Sequence, residues 1–196
     1  MKKIILGLAL LVSTNSFAAD KYVFDKTHTN IIWHANHFGY SNPNGQFTDF
    51  DGYFELDNEK PENSKVEAVV KIASLWTPTA KFTEHLNSKD FFNTAEFPEA
   101  KFVSNKVEKL SDTTAKVTGD LTILGVTKPL VLNVKLNQVG KHPYTQKRTA
   151  GFSVDAEIKR SDYGMTYAIP GVADIVKLTI ETEGILEADN HEQLAQ

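Results

Sequence analysis

Hydrophobic and polar residues alternate with a period of two along most of the chain. In one clear example, Val66, Ala68 and Val70 alternate with Glu67 and Lys71. Because successive side chains of a strand point to opposite faces of a sheet, this pattern predicts strands with one apolar face. The segments that carry it are 22–24, 29–35, 50–56, 66–72, 100–108, 115–124, 130–138, 148–158 and 175–186.

Residues that favour tight bends separate these segments. Turns are predicted at Asn42–Gly45, at 58–63, at Gly125 to Pro129 and at Gly140 to Pro143. Short connections between successive strands predict an antiparallel meander, and long strands in this number usually close on themselves, which removes exposed edges. We therefore expect an all-β protein, an antiparallel barrel, with an open sandwich as the alternative. A barrel of about eight strands either packs solid or holds one small ligand.

The connection before segment 100–108 is much longer than the usual loop of ~4–6 residues. Thr77–Pro78 predicts a helix start, as an N-cap residue followed by proline at the first helical position. Phe82 and Leu86 follow at helical spacing, and the pair Phe91–Phe92 comes next. We expect a short helix with adjacent aromatic residues that acts as a lid over one mouth of the barrel.

Residues 1–18 have the three-part pattern of a secretory signal peptide. Two lysines follow Met1, Ile4–Val12 is an apolar run, and small residues precede the expected cleavage site between Ala18 and Ala19. The apolar run is far shorter than the ~20 residues that span a bilayer, so a membrane anchor is not expected. The pattern predicts an exported protein.

Composition narrows the classes of partner. The formal net charge is −4, and the positive charges of Lys2 and Lys3 are lost with the signal peptide, which disfavours nucleic acid and an anionic membrane surface as partners. The chain has no cysteine, so neither disulfides nor thiolate metal sites are expected. The composition does not shift along the remaining chain, which predicts one domain over 19–187 and a polar tail, frayed from Glu187 onward, over 188–196.

The histidines and serines lack the spacing of catalytic or metal sites. His34 and His37 fall on opposite faces of a strand, which disfavours joint metal binding. Neither an H-E-x-x-H motif nor a G-x-S-x-G motif occurs in the sequence. We therefore expect no metal, no cofactor and no catalytic residue. The many aromatic residues instead fit either a solid core or a hollow barrel with a covered mouth.

Several motifs resemble those of the YceI-like family. Residues 37–52 contain an H-x-G…G-x-F-x-x-F-x-G pattern, residues 84–102 contain H-L-x-S-x-D-F-F followed by F-P-x-A-x-F, and residues 119–129 read G-D-L-T-I-L-G-V-T-K-P. Gly151–Phe152 and residues 160–165 resemble the closing strands of that family. The matches occur in the family's order and extend over nearly the whole chain after the signal peptide.

The resemblance implies an extended, eight-stranded, lipocalin-like barrel in the periplasm that holds a long-chain amphiphile. A long apolar tail gains ~0.8 kcal/mol per buried methylene, so chain length alone gives affinity. We therefore expect a non-enzymatic binding or carrier protein for a long-chain apolar lipid, such as a polyisoprenoid or an isoprenoid quinone, without a membrane span; a homodimer stays open. The residues expected to bind the lipid are Trp33, His37, Phe38, Phe47, Phe54, Trp76, Phe82, His85, Leu86, Asp90, Phe91, Phe92, Phe102, Leu121, Phe152 and Leu178.

Two other functions remain open at this point. An enzyme acting on such a lipid would use His37 or His85 as its acid or base. A solid-cored envelope stress protein would instead bind a protein partner on its surface.

Overall fold

The structure is a computed structural model that describes residues 19–190. The predicted signal peptide over 1–18 and the end of the predicted tail over 191–196 lie outside the described residues. No helix within 19–190 has the length and apolar character needed to cross a bilayer.

The described chain contains eleven β-strands, all paired antiparallel, and two α-helices. The strands are β1 (Asp20–Phe24), β2 (Asn30–His37), β3 (Asn44–Phe47), β4 (Phe50–Leu56), β5 (Lys65–Lys71), β6 (Leu75–Trp76), β7 (Glu99–Lys109), β8 (Thr114–Ile123), β9 (Val126–Lys141), β10 (Arg148–Lys159) and β11 (Val172–Leu186). The helices are α1 (Ala80–Asn87) and α2 (Glu187–Asn190). Short 3-10 turns lie at Pro61–Asn63, Ile72–Ser74 and Arg160–Tyr163.

The sheet closes on itself because β1 pairs with both β4 and β11. The strands around the ring are β1, β4, β5, β7, β8, β9, β10 and β11. At one end β2 continues the line of β1, β3 that of β4, and β6 that of β5, through the pairs β11–β2, β2–β3 and β3–β6. The barrel is therefore an eight-stranded meander whose first three strands are each interrupted once, which confirms the predicted fold.

The backbone segments at two neighbouring strand breaks are hydrogen-bonded to each other. Thr48, between β3 and β4, donates its backbone N–H to the carbonyl of Ser74, 3.3 Å away, in the 3-10 turn between β5 and β6. The Ser74 hydroxyl donates to the carbonyl of Lys71 at 2.6 Å. Backbone groups that leave the strand ladder at the breaks thus keep hydrogen-bond partners, as buried polar groups require.

The barrel has two ends, which we call the helix end and the terminal end. The helix end carries residues 38–43, 77–98, 124–125 and 160–171. The terminal end carries the start of β1, the turns over 57–64, 110–113 and 142–147, and α2.

The structure corrects three turn predictions. The turn predicted at Asn42–Gly45 lies earlier in the chain, over residues 38–43, because Asn44 and Gly45 already pair with β2 as part of β3. Pro129 and Gly140 lie within β9, and the hairpin before this strand turns on two residues only, Leu124 and Gly125. Both of these have positive φ, as a two-residue hairpin turn of this kind requires.

The start of α1 and the frayed tail also differ from prediction. Thr79, not Thr77, caps the helix, since its side-chain oxygen accepts from the N–H of Phe82 at 3.3 Å. Thr77 is buried and donates its hydroxyl to the carbonyl of Thr79 at 3.0 Å. Residues Glu187–Asn190 form α2, which is not frayed: Glu187 contacts Lys21 at 2.8 Å.

Candidate functional site

A cavity of about 740 Å³ occupies the interior of the barrel. Its volume lies in the range of ~300–1,000 Å³ found for small-molecule sites. All eight strands of the ring contribute residues to its wall, β1 through Phe24, and so do β2 and β3. The interior is therefore hollow, in contrast to the solid-core alternative.

The wall follows the period-two register of the strands. Leu130, Leu132, Val134 and Leu136 of β9 all line the cavity, one at every second position. The intervening residues face away from it, as alternation across a sheet requires. An apolar lining is the direct product of the sequence pattern.

Glycines in two strands make room for inward aromatic rings. A β-carbon on Gly119 would lie 2.5 Å from the ring of Phe102, on the neighbouring strand β7. A β-carbon on Gly45 would lie 2.6 Å from the indole of Trp33, on β2. Each ring can lie over the neighbouring strand because the glycine beneath it has no side chain.

The helix end is covered by aromatic and imidazole rings. The ring of His85 lies 5.1 Å from that of Phe91 and 5.2 Å from that of Tyr167, both edge to face. Phe82 of α1 meets Trp33 at 6.1 Å between ring centroids. Residues from α1, from the segment after it and from the loop 164–171 thus meet above the cavity.

His85 also interacts with an exposed carboxylate. Its Nε2 lies 3.1 Å from Oδ2 of Asp90, and both side chains are exposed. A polar contact of this kind on the surface contributes ~0–1 kcal/mol. The contact fixes the imidazole next to Phe91 more than it stabilises the fold.

Arg160 is the one charged residue that is buried among residues 19–190, with 4% of its surface exposed. Its guanidinium donates to four backbone carbonyls, those of Ala173, Met165, Tyr167 and Val172, at 2.8 to 3.0 Å. It also lies over the ring of Phe91 at 5.9 Å.

The surroundings of Arg160 shift the pKa of its guanidinium in opposite directions. Burial lowers the pKa of the guanidinium, and the nearby Asp174 partly opposes this effect. The Asp174 carboxylate itself accepts from Ser161, through both the backbone N–H and the hydroxyl. Through the backbone carbonyls of Met165 and Tyr167, Arg160 ties the loop 164–171 to the barrel wall.

The terminal end is filled by strand residues. Tyr22 stacks on Phe54 with 5.1 Å between ring centroids, and Phe152 meets Phe54 edge to face at 5.2 Å. Tyr22 is fully buried, and burial raises the pKa of its hydroxyl. On the other side of this end the cavity extends to charged residues, among them Lys65 and Lys109.

Most residues predicted to bind the lipid line this cavity. They are Trp33, His37, Phe38, Phe47, Phe54, Phe82, His85, Leu86, Phe91, Phe92, Phe102, Leu121, Phe152 and Leu178. Trp76 and Asp90 do not: Trp76 is half exposed on the outside, and Asp90 contacts His85 from the solvent side. The contact of each residue with a ligand stays a prediction.

Sequence reasoning missed many aliphatic lining residues and Arg160. The aliphatic ones could have been found by extending the apolar face of each strand, for example to Ile123 on β8 and Ile180 on β11. The inward register of β10 runs through Val154 and Ile158 to Arg160, so the same alternation points to the arginine.

Comparisons with known proteins agree with this geometry. The family model described as "YceI-like domain" matches residues 22–184. A UPF0312 protein of Pseudomonas savastanoi pv. phaseolicola is 43% identical over 182 residues, which cover 92% of this chain and 93% of that protein.

Solved structures share the fold. The YceI protein of Campylobacter jejuni matches with a TM-score of 0.71 and 33% identity, over 78% of this chain and 90% of that one. A polyisoprenoid-binding domain of Saccharophagus degradans matches with a TM-score of 0.65 at 13% identity, over 84% of this chain and 98% of that one. The family match and the identity to these relatives show that the chain belongs to the YceI-like family.

Proposed function

We propose that the protein is an exported, periplasmic carrier that holds one long-chain apolar lipid, a polyisoprenoid or an isoprenoid quinone, inside its barrel. It acts by binding and not by catalysis. The observation that carries the proposal is the hollow interior, whose wall is apolar between the two ends.

The size of the cavity fits a long chain. A methylene group is close in size to a water molecule, which occupies roughly 30 Å³, so 740 Å³ accommodates roughly 25 carbon atoms. At ~0.8 kcal/mol per methylene, even a fraction of this length gives tight binding without a polar anchor. A longer isoprenoid would extend through one end of the barrel.

The nature of the lipid is supported by the fold neighbours. The Saccharophagus degradans domain is described as polyisoprenoid-binding, and its barrel matches this one. Export is supported by the signal-peptide pattern of residues 1–18. Together with the cavity, these features favour a carrier that moves or stores a lipid outside the cytoplasm.

The proposal is tested by mass spectrometry of lipid extracted from the protein after purification from its host. We expect about one long-chain isoprenoid per chain. A protein that carries no lipid, and that binds no added isoprenoid quinone after delipidation, would contradict the proposal.

A pair of neighbouring substitutions on β8 provides the control. Val117→Trp places an indole in the cavity, whereas Lys116→Trp places it on the outer face. We expect the first variant to lose most of the extracted lipid and the second to keep it. Circular dichroism checks that both variants fold.

The contact between His85 and Asp90, at the helix end of the cavity, favours an enzyme, because a carboxylate can orient an imidazole for proton transfer. Both side chains are exposed to solvent. Lipid turnover that disappears in His85→Ala and His37→Ala, with binding retained, would establish this alternative.

A further inference from the structure

The exposed aromatic residues of the barrel gather at the helix end. Within residues 19–190, five aromatic side chains count among the exposed large hydrophobic ones. Four of them, Phe38, Tyr40, Trp76 and Tyr167, surround the helix end, and only Tyr144 lies at the terminal end. We call these four residues the aromatic rim.

The rim is continuous with the cavity wall. Phe38 and Tyr167 both line the cavity, and yet about half of each side chain is exposed, 55% and 48%. An apolar surface thus runs from the interior of the barrel to the outside without a polar interruption at these two residues. A contiguous exposed apolar surface of this kind marks an interaction site.

The backbone holds Phe38 in a strained conformation. Its φ is 54°, which is a rare value for a bulky residue and costs on the order of 1 kcal/mol. Its backbone N–H donates to the carbonyl of Gly171 at 2.7 Å, and its ring lies against Gly171, where a β-carbon would collide with it. Strain that keeps a large apolar side chain half exposed points to a function for that exposure.

The two rim loops carry no charge. Neither residues 38–43 nor residues 164–171 contain Asp, Glu, Lys or Arg, whereas the terminal-end turn over 57–64 contains four such residues. The intervening segment 77–98 has two lysines and three acidic residues, so its charge is nearly balanced. Exposed tyrosine and tryptophan side chains beside uncharged loops are suited to the interface between lipid head groups and acyl chains.

We propose that the aromatic rim docks the barrel on a zwitterionic phospholipid bilayer, so that an apolar lipid passes between membrane and cavity without crossing water. The inference rests on the proposed carrier function. The net negative charge of the chain disfavours an anionic surface, so aromatic insertion and not charge attraction provides the binding.

The test is cosedimentation of the purified protein with phosphatidylcholine vesicles. Tyr40→Ser and Trp76→Ser should each weaken binding about tenfold, since interfacial burial of one aromatic side chain is worth roughly that factor. Tyr144→Ser is the matched control, because Tyr40 and Tyr144 are equally exposed, at 91%, on opposite ends. We expect Tyr144→Ser to bind like the unmodified protein, and anionic lipid in the vesicles to add nothing.

A second readout uses the position of Trp76. In a Trp33→Phe background Trp76 is the sole tryptophan, and vesicles of phosphatidylcholine with brominated acyl chains should quench its fluorescence. The docking proposal would be overturned if the protein did not sediment with the vesicles, or if Tyr144→Ser lost as much vesicle binding as Tyr40→Ser. It would also be overturned if the protein were a dimer that dissociates in Tyr40→Ser. If the protein binds isoprenoid in solution but not vesicles, only the docking fails; if it binds vesicles but no isoprenoid, the carrier function fails.

Discussion

Aromatic rings close the cavity at both ends of the barrel, but in different ways. At the terminal end they close one side only, since the cavity reaches the turns over 57–64 and 110–113 on the other side. At the terminal end, Tyr22, Phe54 and Phe152 come from three strands, and their rings pack together within the sheet. At the helix end, His85, Phe91 and Tyr167 come from a helix and two loops. The first closure can open only if strands separate, whereas the second can open by movement of loops that leave the strand ladder intact. We therefore expect a bound lipid to exchange more readily past the loop-built closure of the helix end.

Removal of one aromatic ring from each closure should give the largest difference in the free energy of unfolding. Phe54→Ala deletes a buried side chain, and we expect a loss of about 3–5 kcal/mol in the free energy of unfolding. Phe91→Ala removes a partly buried ring and should cost about 1 kcal/mol, because its site is partly solvated. Urea denaturation measures both values. Equal losses would contradict the distinction between a strand-built and a loop-built closure.

The same pair should differ in lipid exchange. We expect Phe91→Ala to release bound lipid faster than the unmodified protein, and Phe54→Ala, as long as it folds, to leave the release rate nearly unchanged. Transfer of a fluorescent isoprenoid to acceptor vesicles measures the rate.

The second contrast concerns Arg160, which ties the loop 164–171 to the wall. Arg160→Met leaves backbone carbonyls without donors, and we expect a loss of about 3 kcal/mol together with faster amide hydrogen exchange in 164–173. Lys159→Met is the control, because Lys159 is exposed and contacts Asp162 at 3.5 Å, so its loss should cost under ~1 kcal/mol. An unchanged exchange rate in Arg160→Met would show that other contacts hold the loop.

A smaller effect is expected in the cavity wall between the two ends. Gly119→Ala introduces a β-carbon 2.5 Å from both the ring of Phe102 and the backbone carbonyl of Val103, and overpacking of this kind costs about 1–3 kcal/mol. Gly140→Ala, also in a strand, meets no neighbouring atom within 4 Å and should be nearly neutral. If the two variants unfolded at the same urea concentration, the close packing around Gly119 would not contribute to the free energy of unfolding.

The smallest effect is a pH dependence of stability that we expect from His28, in the connection between β1 and β2. The hydrogen bond that His28 Nδ1 makes with the carboxylate of Asp25, at 2.7 Å, raises the pKa of His28. A raised pKa in the folded state stabilises the protein below the unfolded value of about 6.5, and this contribution is lost as the pH rises through the folded pKa. Because His28 is exposed, we expect under ~1 kcal/mol.

His28→Gln should remove this part of the pH dependence. Thermal unfolding measured at intervals between about pH 5.5 and pH 8.5 spans the window. A pH dependence that is identical in the variant would assign it to another group.

The strands could be predicted because an apolar face must repeat at every second residue wherever a sheet surrounds an apolar interior. The alternation was lost at the breaks. After the 3-10 turn Ile72–Ser74, Leu75 and not Trp76 faces inward, so that Leu75 is buried and Trp76 half exposed. The sequence around the break does not reveal this change of register, and the inward placement predicted for Trp76 therefore failed.

The two short strands β3 and β6 and the role of Arg160 could not be predicted from the sequence. β3 and β6 contain four and two residues, too few for a period to be recognised. Arg160 continues the inward register of β10, but a charged residue at that position is expected to face solvent unless its partners are known. Those partners are backbone carbonyls of the loop 164–171 and of the start of β11, which no residue type encodes.

The central claim, that a lipid lies inside the barrel, can be tested with the two tryptophans of the chain. Trp33 lines the cavity and Trp76 lies outside it. An 18-carbon fatty acid with two bromine atoms at its centre quenches only an indole that it touches. We predict that it quenches the fluorescence of Trp76→Phe, in which Trp33 remains, at about one molecule per chain, and leaves that of Trp33→Phe nearly unchanged. Quenching that is absent, or equal in both variants, would contradict the account.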